Sequence, residues 1–430
     1  MNIVRSLSRK SVSPLHATGV IAGIAAGAWL GTAEAPTQLV TTGISPFIVS
    51  AAMVMGVFVA RWTIPTLLKG TSYIITDLRL MLHLLVWGIL AGAFEAVANT
   101  LTIFAIKDVG LAIAFPIWNS NSLIGILWGW LLFNELKGAG KRQWTKVAGG
   151  AVAIVIATVI LGYASTQSSG VSTQTAFMGI LAALGASVLW GTSYIPYRKA
   201  YLSGMNPLSF LTVFTVGELG TVLLLSYMFL GGVGPLVHEL ILAKSSLFWL
   251  FFGGFCWVVG DIFQQFAVKY IGIGRGIPLA NTNQIWGVAW AALVFCDLRG
   301  ANILTIILIL GGCLLMIFGA GCIASTEASG EEHNSWNKAV EKECVRYNLN
   351  KERVMVAVSG GDPLGLEKKG HAWWDILIVI IAVGIFVFFA MLANKPALMM
   401  NYVWLGIIAF LSILVAVIGG LMLHKHTGFS

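Results

Sequence analysis

The chain has 430 residues, 57% of them hydrophobic and 10% charged, where a soluble domain carries roughly 25% charged residues; this excludes a soluble globular fold and predicts an all-α polytopic membrane protein. The formal net charge of +8 would suggest nucleic acid in a soluble protein, but in a membrane chain it reads as Lys and Arg gathered in cytoplasmic loops, with no nucleic-acid partner. Cys256, Cys296, Cys313, Cys322 and Cys344 form no CxxC pair, and no His stands at metal-ligand spacing to one of them, so neither a metal site nor a disulfide framework is expected, and no cofactor.

Apolar segments long enough to span a bilayer follow one another from the N-terminus. The first, 16–35, comes after Arg5, Arg9 and Lys10 and ends in Ala33-Glu34-Ala35. That pattern is shared with a cleaved signal peptide, but the segment has a mid-chain counterpart, so it is expected to be retained. Four more follow at 45–63, 80–103, 109–133 and 146–164. The third holds Glu95. The fourth holds the polar run PIWNSNSLIG, with Pro116, Trp118, Asn119 and Asn121.

The next five segments lie at 176–197, 206–230, 246–268, 273–296 and 302–323. Trp190 and Tyr194 fall in the sixth, Glu218 in the seventh, and Asp261, Gln264 and Gln265 in the eighth. The ninth carries PLANTNQIWG, with Pro278, Asn281, Asn283 and Trp286, preceded by Arg275. Snorkelling to the inner interface is the expected role of Arg275; meeting an anionic substrate or pairing with Asp261 is the alternative.

The second five segments repeat the first. Pro116 and Pro278 stand 162 residues apart (278 − 116), and the same offset pairs Gly92 with Gly254, Lys107 with Lys269, Asn119 with Asn281, Asn121 with Asn283 and Gly125 with Gly287. Asp261 meets Asn99 at that offset. Upstream, Trp29-Leu30-Gly31-Thr32 resembles Leu189-Trp190-Gly191-Thr192, and Gly43, Pro46 and Gly56 match Gly204, Pro207 and Gly217. Five spans per repeat turn the second repeat over, which gives a ten-helix, 5+5 inverted-repeat bundle of the kind secondary transporters use. The repeats are 1–165 and 166–325.

Lys and Arg set the orientation. With the N-terminus inside, inner loops hold Arg61, Lys69, Arg79, Lys137, Lys141, Arg142, Lys146, Arg198 and Lys199, while the outer loops at 36–44 and 165–175 hold none. Residues 326–371 are polar. Trp336, Val340, Cys344 and Tyr347 share one helical face there, so a short amphipathic helix is expected on the membrane surface or against the inner loops. Residues 372–430 add an unrepeated transmembrane hairpin, with spans at 372–393 and 401–423, which leaves the C-terminus cytoplasmic. The hairpin would pair with a second copy as a homodimer or cap the lipid face of the bundle.

This pattern resembles the drug/metabolite transporter superfamily over roughly 16–323. Its carriers are Trp190-Gly191-Thr192 and the run from Val109-Gly110 through Pro116 and Gly125 to Asn134-Glu135, with its mate from Ile271-Gly272 through Pro278 and Gly287 to Cys296-Asp297. Members typically close this helix with Gly-Glu; here Asn134 and Cys296 replace the Gly, and Asp297 replaces one Glu. The stretch Trp87–Glu135 is most similar to bacterial glucose/ribose uptake porters, which implies monosaccharide import with a proton. Ureide permeases and rhamnose-proton symporters are similar in style.

Substrate in such a carrier sits at the repeat interface near the bilayer midplane. Asn119, Asn121, Asn281 and Asn283 are the expected polar lining, each amide offering two donors and an acceptor; bonding between helices is the alternative. Trp118, Trp190, Tyr194 and Trp286 offer ring faces for a sugar, and Gln264 adds polarity. Intramembrane acids default to function, so Glu95, Asp261 and then Glu218 are the expected proton-coupling residues, with sodium as the alternative coupling ion; Glu34 is interfacial. The expected activity is coupled uptake of a small polar metabolite in the cell membrane. A drug, ureide or other metabolite permease is the alternative, and a transport-inactive sensor or accessory protein the alternative of another class. A membrane enzyme would need a nucleophile with its base or a metal set; the chain holds no GxSxG, no HExxH and no clustered His.

Overall fold

The computed structural model describes residues 2–33, 43–109, 114, 117–165, 173–296, 302–365, 371–394 and 400–430. Glu34, Pro116 and Asp297, all singled out in the sequence, lie outside them. Helices account for the regular structure among the described residues. In the first half they are α1 (Asn2–Ala33), α2 (Pro46–Lys69), α3 (Thr71–Leu80), α4 (Leu85–Val109), α5 (Asn121–Phe133) and α6 (Lys141–Ser165). The second half follows with α7 (Thr173–Leu202), α8 (Pro207–Leu230), α9 (Val233–Leu242), α10 (Leu247–Ile271), α11 (Ile273–Ala280), α12 (Asn283–Ala289) and α13 (Ile303–Ala324). Last come α14 (Gly330–Tyr347), α15 (Lys351–Val358), α16 (Trp373–Leu392) and α17 (Tyr402–Thr427).

Ten of the described helices are long and apolar enough to cross a membrane: α1, α2, α4, α6, α7, α8, α10, α13, α16 and α17. The protein is a polytopic helical bundle. Helix starts follow local chemistry. Pro46 and Pro207 open α2 and α8, where a missing N–H costs nothing. Asn206 caps α8 by accepting from the Leu208 N–H.

Two expected spans are not single long helices. The fourth is helical over Asn121–Phe133. The ninth breaks into α11 and α12 at Asn281–Thr282, followed by a π-turn over Trp290–Val294. Pro278 supplies no N–H to the α11 ladder, and Thr282 Oγ1 caps the Leu279 carbonyl at 2.7 Å. The ladder therefore loses continuity where polar side chains stand ready to replace it.

The helix pairing is symmetric under exchange of the two halves. α1 packs on α10 as α7 packs on α4; α2 packs on α10 as α8 packs on α4; α1 meets α11 and α12 as α7 meets α5. The pairs α2–α8, α5–α11 and α6–α13 map onto themselves. Glycines make the matched crossings possible. A Cβ on Gly56 would collide with the Phe251 carbonyl oxygen, and one on Gly254 with that of Met53. A Cβ on Gly217 would collide with the Ile89 carbonyl, and one on Gly92 with that of Phe214. These are close backbone contacts between membrane helices through small residues, and their positions are the repeat mates found in the sequence.

The beginning of α1 and the end of α7 lie at the same end of the bundle: Gly19 faces Tyr270 and Ile271, and Arg198 donates to the Lys269 carbonyl at 2.9 Å. We call this the basic end. Here Asp77 of α3 accepts from the Asn206 N–H at 3.0 Å. The hairpin wraps the outside of the bundle. α16 is pinned to the start of α3 by Thr71 donating to Asp375, and Phe386 meets Phe251 edge to face while Phe389 lies tilted against it. α17 lies along α1, joined by Thr18–His426 and Thr32–Ser412 contacts, both at 2.7 Å. The buried face of α14 carries Val340 and Cys344 and packs on Leu202 and Val354 at the basic end.

Candidate functional site

A cavity of about 420 Å³ lies where the two halves meet. Asn119 and Asn121 line it from the first half, Asn281 and Asn283 from the second. Trp118, Trp190, Tyr194, Gln264, Glu95 and Asp261 are also on its wall. Trp286 and Glu218 do not line it; Trp286 packs near Trp290, and Glu218 is fully buried behind the wall. Val49 and Ser50 at the start of α2, with Thr102, Ile103 and Ile106 late in α4, carry the lining toward the end opposite the basic one.

The asparagines touch across the interface. Asn281 Nδ2 donates to Asn121 Oδ1 at 2.9 Å and to the Asn119 carbonyl at 3.3 Å. Asn121 Nδ2 donates to the Tyr194 hydroxyl at 3.2 Å. Trp118 and Trp190 meet edge to face with centroids 6.2 Å apart. The site thus presents amide donors and acceptors beside aromatic faces, which suits a ligand with hydroxyls on an apolar frame.

An ionic cluster runs from the wall at Asp261 into the bundle behind it. Arg61 Nη1 donates to Glu218 at 2.6 Å, and Nη2 to Asp261 at 2.7 Å. All three side chains are within 1% of full burial. The Arg61 guanidinium also sits 4.2 Å from the centre of the Phe214 ring. Arg61, expected in an inner loop, instead lies within α2. α2 continues to Lys69, past the expected end at 63, and two acids neutralise the guanidinium in mid-helix.

Hydrogen bonds connect cavity and cluster. The Trp190 indole donates to Asn99 Oδ1 at 3.2 Å, and Asn99 Nδ2 donates to Glu218 at 3.2 Å. On the far side Gln265 donates to Asp261 at 2.8 Å, and the Tyr201 hydroxyl donates to Gln265 at 2.6 Å. Glu95 is on the cavity wall beside Trp190 and forms no ion pair among the described residues. Sequence reasoning missed Arg61, Tyr197 and Trp257 as parts of this region. Arg61 had a signal: a cation within an apolar run calls for a partner as much as an acid does.

Arg275 does not snorkel. It makes a two-pronged pair with Glu332 of α14, at 2.7 and 2.9 Å, because α14 brings an acid over the start of α11. No group of His, Cys, Asp or Glu able to hold a metal occurs among the described residues.

No family model matches this chain, and no curated protein matches it. A solved structure described only as "Crystal structure of protein" is similar to it, with 18% identity and a TM-score of 0.48 over 71% of this chain and 95% of its own.

Proposed function

We propose that this chain is a secondary active transporter of a small polar metabolite, a carrier rather than an enzyme, within the drug/metabolite transporter superfamily. Proton-coupled monosaccharide uptake is the leading case. The observation that carries this reading is the cavity itself, lined by both copies of one Asn-x-Asn pair and by Trp118, Trp190 and Tyr194. Pairing of helices across a pseudo-twofold supports a 5+5 inverted repeat and alternating access. Both chain ends are on the basic, cytoplasmic side in this reading.

Charge balance supports coupling to a cation. Glu95, Glu218 and Asp261 share one buried guanidinium, and Arg61 engages only two of them. Glu95 faces the cavity, where a proton or a sodium ion supplies the missing positive charge.

Uptake by proteoliposomes tests the proposal. Labelled monosaccharides, ureides and small organic cations are offered with and without an inward proton or sodium gradient. Gradient-driven sugar uptake, lost in Glu95→Gln while unforced exchange persists, is the expected result. Movement of a ureide or drug instead would keep the carrier and reject the sugar. Silence across the panel would favour a sensor that kept the fold.

A further inference from the structure

Toward the basic end, beyond the residues that line the cavity, three separate parts of the chain meet. Glu135, in the turn after α5, accepts the Ile273 and Gly274 N–H groups at 2.9 and 2.8 Å, which fixes the start of α11. Arg198 of α7 stands 3.5 Å from Glu135. The third part is α14. Its Glu332, with no exposed surface, grips Arg275 in the first turn of α11. Its Trp336 lies over the Arg198 guanidinium at 4.4 Å. Ser329, which caps α14, also donates to the Lys137 carbonyl at 2.5 Å.

α14 therefore bridges a seam. α5 and its following turn belong to one half of the bundle, α7 and α11 to the other. α11 ends at Ala280 and is followed by Asn281, which binds Asn121 across the cavity. Opening the basic end requires these helices to part, and α14 holds both sides. Removing one partner of a buried two-pronged ion pair leaves the other charge uncompensated, so substitution at Glu332 is a sensitive probe of this contact.

We infer that α14 is a latch: docked, it keeps the cavity closed at the basic end, and it must release Arg275 before the cavity opens there. The inference rests on the transporter reading for its purpose, but its test does not use transport.

Cys344 is a built-in reporter. It is 5% exposed, on the face of α14 packed against Leu202 and Val354. In a background with the other four cysteines changed to Ala, full-length protein in nanodiscs is treated with a water-soluble maleimide. Hydrogen exchange is followed in α11. Glu332→Gln is expected to speed Cys344 labelling roughly 100-fold and to raise exchange in α11, with exchange in α6 and α13 unchanged. Arg275→Met/Glu332→Met, which refills the site with apolar groups, is expected to return labelling to within about tenfold of wild type. Unchanged labelling in Glu332→Gln overturns the latch, and so does faster labelling with α11 exchange unmoved. Should Glu332→Gln fail to fold, Trp336→Ala keeps the ion pair, removes only the cover over Arg198, and is read by the same two probes. A chain that moves no solute would fail the transporter reading while both probes still report on the latch.

Discussion

Replacing Arg61 by Gln tests whether the ionic cluster is a mutual dependence. The wild-type guanidinium satisfies Glu218 at 2.6 Å and Asp261 at 2.7 Å and rests on Phe214 at 4.2 Å. Glu218 and Asp261 are 0% and 1% exposed, so water cannot replace the lost charge. Removing one partner of a buried pair costs about 3–5 kcal/mol. Here one substitution orphans two acids and a cation–π contact, which places the cost near the upper end, about 5 kcal/mol. The triple change Arg61→Met/Glu218→Gln/Asp261→Asn removes the charges together. It should lie within about 2 kcal/mol of wild type, because the desolvation cost disappears with the attraction. The three sites form one network, so the single and triple effects are not additive. Unfolding by SDS titration from mixed micelles measures both. A loss below about 1 kcal/mol in Arg61→Gln, or equal losses in the single and triple variants, would refute the reasoning.

The glycine crossings give a sharper contrast. Gly56→Leu and Gly217→Leu each drive a side chain into a facing backbone carbonyl and should cost about 1–3 kcal/mol or more, whereas Gly149→Ala, with open space at its Cβ, should be neutral in the same titration. The pH dependence has a defined sign at Asp77, which lies outside the membrane spans. Burial pushes its carboxyl up from 3.8 to about 6, so the folded state holds the proton more tightly. Stability from this group grows as pH falls from 6 toward 3.8 and is lost as pH rises through about 6, by roughly 3 kcal/mol in all. Unfolding titrations between these pH values should show that slope in wild type and not in Asp77→Asn; parallel curves would reject it.

Much of the scaffold was readable from the chain because membrane helices and internal repeats leave strong one-dimensional signals. Matching Gly56 with Gly217 and Gly92 with Gly254 pointed to positions that turn out to be backbone contacts. The Asn pairs were visible as polar clusters in apolar runs, and the structure brings both to one cavity. What stayed hidden was partnership across long sequence separations. Nothing near Arg61 in the chain announces Glu218 or Asp261, and nothing near Arg275 announces Glu332. A positive charge near a helix end reads as a loop residue until the acid that neutralises it is known. The break at Asn281–Thr282 was similarly obscured, because Pro278 weakens a helix without stating where it stops.

The repeat accounts for the backbone but not for the charge. At an offset of 161, Arg61 falls on Val222 and Glu218 on Val57; at 162, Asp261 falls on Asn99, Glu95 on Trp257 and Arg275 on Ile113. The ionic cluster is therefore an asymmetric cargo on a symmetric frame. On the transporter reading, a symmetric frame alone would give two states of equal energy, one open at each end, related by exchanging the halves. Every ionic departure from the repeat tilts that balance. The pair between Arg275 and Glu332 tilts it most plainly, because α14 touches one end of the bundle and has no counterpart in the repeat. On the transporter reading, the state closed at the basic end is the resting one. The energy that a coupling cation delivers at Glu95 must then exceed what α14 contributes before the cavity can turn over.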